Sequence, residues 1–73
     1  MTIFKVIVKP ENGEPISSLK FNTEEDADKH IEGIEENGDT MFAHTSADLL
    51  IIIKMAQFMD EWVEVFRYPI MRT

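Results

Sequence analysis

The chain has 73 residues, no cysteine, and fourteen acidic against seven basic side chains, giving a formal net charge of −7. That length makes one small domain, residues 1–73, with little surplus stability. The missing cysteines exclude disulfides and thiolate metal sites and fit a reducing, cytoplasmic setting. The charge argues against direct nucleic-acid binding.

No membrane segment or secretory leader is expected. The longest apolar run, Leu49 to Ile53, falls far short of the about 20 residues that a spanning helix needs. The N-terminal stretch carries Lys5, Lys9 and Pro10 rather than an apolar leader.

Ile3 to Lys9 is rich in β-branched and aromatic residues and predicts a strand. Asn12-Gly13 follows, the strongest short-range hairpin signal, because both residues tolerate positive φ. A two-residue type I′ loop there pairs Phe4 with Phe21, Val6 with Leu19 and Val8 with Ser17, which makes one apolar face. The same register sets Pro10 opposite Pro15, where missing N–H groups are harmless. It also sets Lys5 opposite Lys20, a like-charge pair that invites an acid from elsewhere.

Thr23 begins a capping pattern with Asp26, and Ala27, Ile31 and Ile34 recur at helical spacing until Asn37-Gly38 stops the run. This predicts a helix of about three turns with a narrow apolar stripe. Its outer face is acidic: eight carboxylates lie between Glu24 and Asp39, opposed only by Lys29. Thr40 to His44 is a candidate short third strand.

The C-terminal third predicts one long helix over about residues 46–67, capped by Thr45 or Ser46 and stopped by Pro69. Lys54, Gln57, Asp60, Glu61, Glu64 and Arg67 fall within an arc of about 140°. Met55, Phe58, Trp62 and other apolar residues fill the opposite side, and Leu50 and Ile53 stray from it. The competing reading breaks the helix near Asp60 and places a strand over Trp62 to Tyr68, whose residues have high β propensity. The fold class expected is α+β, a hairpin packed against two helices in the order β-β-α-(β)-α.

Nothing in the chain matches a catalytic motif. The three serines sit in no nucleophile-elbow context, and the glycines, at 13, 33 and 38, form no phosphate loop. His30 lies four residues after Asp26, but it and His44 are the only histidines, so no metal site or cofactor is expected. The carboxylates of the first helix are expected to be solvated, which argues against acid–base catalysis.

Two surfaces remain as candidates. Glu24, Glu25, Asp28, Glu32, Glu35, Glu36 and Asp39 form an anionic face suited to a partner protein with a basic, nucleic-acid-handling surface. Leu50, Ile53, Met55, Phe58 and Trp62 form an apolar surface suited to a homodimer. The first reading makes the protein a non-enzymatic inhibitor or regulator, resembling in composition the small acidic inhibitors of phages and mobile elements. The alternative is a structural dimer paired through its long helices, and a small enzyme is the third.

Overall fold

Val6 and Val8, two residues apart, are both fully buried, as a strand with one face on a core requires. They belong to β1 (Phe4–Pro10), which pairs antiparallel with β2 (Ser17–Phe21) in the expected register, Phe4 on Phe21 through Val8 on Ser17. The computed structural model describes residues 2–72. After β2 the chain forms α1 (Glu24–Glu36), α2 (Gly38–Phe42), β3 (Leu49–Phe58) and β4 (Glu61–Met71).

The four strands make one antiparallel sheet in the order β2-β1-β3-β4. The helices lie on one side of it, here the inner side. Ala27, Ile31 and Ile34 of α1 and Phe42 of α2 pack with Val6, Val8, Leu50 and Ile52 into a single core. The α+β class therefore holds, and so does the first helix: Thr23 Oγ1 accepts the Asp26 N–H at 3.1 Å, and Asn37 ends the helix with its N–H on the Gly33 carbonyl.

Three expectations are corrected. The first turn is not type I′ over Asn12-Gly13, and Pro10 does not pair with Pro15. The Gly13 N–H reaches the Pro10 carbonyl at 3.4 Å, the Ile16 N–H reaches Val8, and Gly13 has no positive φ. Pro15 cannot donate to a ladder, so pairing stops at Ser17, and Pro10 pairs instead with Leu50 of β3. Thr40 to His44 is not a strand either. Met41 and Phe42 are adjacent rather than alternating, and the short α2 turns Phe42 into the core at 3% exposure.

The third correction is the largest. The long helix over residues 46–67 does not exist, and the order is β-β-α-α-β-β. Thr45 caps no helix; its Oγ1 accepts the Ala47 N–H in a local turn. β3 is a central strand whose two faces are both filled, Leu50 and Ile52 inside and Ile53 outside, so its sequence shows no alternation.

The polar residues that trace a helical arc have other causes. Asp60 lies in the hairpin turn, and Glu61 opens β4 beside it. The ladder then skips Val65, pairing Lys54 with Phe66 but Met55 with Glu64. That bulge brings Glu64 and Arg67, three apart, onto the same outer face, where they form a bidentate ion pair. Of the competing reading, the strand over Trp62 to Tyr68 holds within β4, whereas the helix it kept before Asp60 is the strand β3. Pro69 is tolerated because β4 is an edge strand.

Candidate protein-binding surface

The apolar stripe of α1 must face the sheet, and with so narrow a stripe its carboxylates flank the core on both sides. One flank is committed to the fold. Lys54, on the inner face of β3, is only 8% exposed, and its Nζ donates to Asp28 Oδ1 at 2.8 Å and Glu24 Oε2 at 3.2 Å. Burial alone would lower the Lys54 pKa, but the hydrogen bonds to Asp28 and Glu24 outweigh it and raise the value above 10.5. Glu24 and Asp28 thus do structural work.

The other carboxylates face solvent. Glu25 meets Lys29 one turn on at 3.3 Å. Among the described residues, Glu32, Glu35, Glu36 and Asp39 have no ion-pair partner and all are exposed. They stand above β4, whose inner face α1 leaves open. Phe66 and Tyr68, two apart and so on one face, are 39% and 40% exposed, with near-parallel rings 6.1 Å apart.

The result is a groove with an acidic wall and an apolar floor. One depression of about 550 Å³ lies among Asp28, Ile31, Glu32, Glu35, Val65, Phe66 and Lys54, whose charge is met by Asp28 and Glu24. A second of about 390 Å³ continues past the shared Glu35 to Glu36, Asp39, Tyr68 and Ile70.

The anticipated apolar surface is dispersed. Leu50 is fully buried core, and Ile53, at 7% exposure, is sealed within the outer sheet face. Met55 is half-buried on that face, and Phe58 projects near the hairpin tip. Trp62 is half-buried under the Lys5 ammonium, 4.2 Å from its ring centroid, with Lys20 at 5.9 Å. The Lys5–Lys20 pair is therefore relieved by an aromatic face and not by an acid. With no long helix, helix-to-helix dimerisation loses its basis.

By periodicity Val65 and Phe66 fall on the apolar face of the expected long helix, and Tyr68 falls just beyond its end. The signal that reveals them is the β propensity of Trp62 to Tyr68, with the acidic helix as the only cover available. His30 packs its ring against Phe21 at 5.2 Å, and its Nε2 is buried without a hydrogen-bond partner. Burial pushes its pKa below 6.5. No group of three or more His, Asp or Glu among the described residues is placed to hold a metal ion. None of the described helices is long and apolar enough to cross a membrane. Comparison of the chain with protein-family models, curated proteins and solved structures yields no match.

Proposed function

We propose that the protein is a non-enzymatic protein-binding module of the cytoplasm, an inhibitor or regulator whose anionic helix contacts the basic surface of a nucleic-acid-handling protein. One observation carries this reading. The fold uses Glu24 and Asp28 to satisfy Lys54, whereas Glu32, Glu35, Glu36 and Asp39 are exposed, without an ion-pair partner among the described residues, and adjacent on one side of the domain. Such carboxylates contribute little to stability. They steer a basic partner into contact and make association depend on ionic strength.

The test is capture of partners from source lysate at low and high salt, with wild type and a variant in which Glu32, Glu35 and Glu36 are all Gln. A nucleic-acid-handling protein retained at low salt, released at high salt and lost by the variant supports the reading. Equal retention by the variant reduces the acidic face to a solvated surface.

A further inference from the structure

Of the eight exposed large hydrophobic side chains among the described residues, Leu19 lies on β2, and the other seven lie on β4 or its hairpin: Phe58, Met59, Val63, Val65, Phe66, Tyr68 and Met71. Exposed apolar surface so concentrated marks an interface. The groove beside α1 also has definite dimensions. Strands lie about 4.8 Å apart and a helix with its side chains is about 10–12 Å across. One helix therefore covers only about half of a four-stranded sheet. α1 packs against β1 and β2, the inner side of β3 is buried beneath the helices, and β4 is left open along Val65 to Tyr68, with Ile70 beyond them packed on the core. The helix layer has room for one more helix, lying over β4 and alongside α1.

We propose that this place is filled by a basic amphipathic helix of the partner protein, an inference that rests on the binding function proposed above. Charge complementarity selects the occupant. Its apolar ridge would rest on Val65, Phe66 and Tyr68, and lysines or arginines on its flank would meet Glu32, Glu35, Glu36 and Asp39. A second copy fits poorly. It would bring a net charge of −7 and its own acidic α1 to the same trough. The base on β4, Arg67, is already paired with Glu64. An extended strand added to the β4 edge would meet Pro69 and the bulge at Val65, both of which interrupt a ladder.

The probe is a synthetic Leu–Lys peptide of about 18 residues, five helical turns, with all leucines on one face. Its controls are the same composition scrambled to remove that face and a Leu–Glu version. Binding of the first alone is expected. Amide signals should shift over Glu32 to Asp39 and Val65 to Tyr68, and the peptide should become helical. Phe66→Ser with Tyr68→Ser should weaken binding about tenfold or more, as loss of aromatic anchors does, while leaving its salt dependence in place. If that double variant does not fold, Val65→Asp at the half-exposed bulge serves instead.

Equal binding of the scrambled peptide overturns the proposal. So do shifts centred on Lys5 and Trp62, or self-association of the free protein through the groove residues. Native-partner capture separates this inference from the function it rests on. Loss with the glutamine variant but not with the serine variant would leave the charge reading standing and remove the helix site. Retention by both variants would remove both.

Discussion

The two hairpins obey opposite rules. The β1–β2 connection contains Asn12-Gly13, yet its turn spans Pro10 to Gly13 without a positive φ. The β3–β4 connection contains no glycine, yet Met59 and Asp60 take φ values of 51° and 70°. Six residues separate β1 from β2, so that loop has room to close in ordinary conformations. Only Met59 and Asp60 separate β3 from β4. A two-residue hairpin must match the right-handed twist of its strands, and only a mirror-image turn does so. Turn conformation here follows loop length, and composition follows only where the loop leaves a choice. The hairpins also differ in cover: the first packs beneath α1, whereas the second leaves Phe66 and Tyr68 of β4 open and packs only Ile70 of that strand against the core. The strained turn and the open surface belong to the same hairpin.

The contrast within the second hairpin is the easiest to break. β3 is core, so Ile52→Ala, at a fully buried position, should cost about 2–5 kcal/mol, the range for deleting buried methyl groups. Tyr68→Ala, in β4 directly opposite Ile52, should cost well under half as much, because its ring is already in part solvated. Urea midpoints of the two variants check this, and equal losses would mean that β4 belongs to the core.

Lys54 joins the covered region to the open one, since it lies between Val6 of β1 and Phe66 of β4. Lys54→Ala should cost about 1–2 kcal/mol. This is less than the 3–5 kcal/mol typical of breaking a fully buried pair, because Glu24 and Asp28 are half exposed and can rehydrate. The folded-state pKa of Lys54 is raised, so its contribution is complete below pH 10.5 and is lost as pH climbs through the folded value. The stability gap between wild type and Lys54→Ala should therefore be constant near neutrality and narrow only in strong alkali. A gap that stays constant through strong alkali would assign the stabilisation to packing alone.

The turns come next. Met59→Asn combined with Asp60→Gly should stabilise by about 1 kcal/mol, because both positions hold left-handed backbone that Asn and Gly accept at lower cost. Gly13→Ala should change stability by no more than about 0.5 kcal/mol. No positive φ is needed there, although the added methyl would press on Pro10 Cγ at 3.2 Å. A loss at Gly13 larger than the gain at Met59-Asp60 would reverse the comparison.

These differences also explain what was legible in the chain. The register of β1 on β2 is readable because the inner residues alternate with Lys5, Lys9 and Lys20, and one buried face leaves a period of two. α1 is readable from its cap and from the recurrence of Ala27, Ile31 and Ile34. β3 is unreadable by periodicity because it is buried on both faces, and its turn offers Asp60 but neither glycine nor asparagine. Lys54 is the residue that misleads most. As the first polar residue after an apolar run it resembles the start of a solvated helical face, yet it is buried under two carboxylates one turn apart on α1. A lone lysine in a β-branched run, set against an acidic helix, is the signal that would identify both the strand and its cover. The anionic half of the groove was legible in the run of acids, whereas its apolar floor required the strand assignment of β4.

The smallest expected effect returns to the covered hairpin. His30 of α1 holds its ring against Phe21 at the end of β2, with Nε2 buried and unpartnered. Burial disfavours the imidazolium, so the folded-state pKa lies below 6.5. In the window between these two values the unfolded chain binds more protons than the folded one. Stability must then fall as pH drops below 6.5, and the loss is complete once pH passes the folded value. His30→Phe keeps the aromatic contact and removes the proton site, and its stability should be level where wild type declines. Protonation strikes the seam between α1 and β2, so amide exchange should quicken in β2 and remain unchanged in β4. If exchange quickens equally in both strands, protonation loosens the whole sheet, and the two hairpins do not open independently.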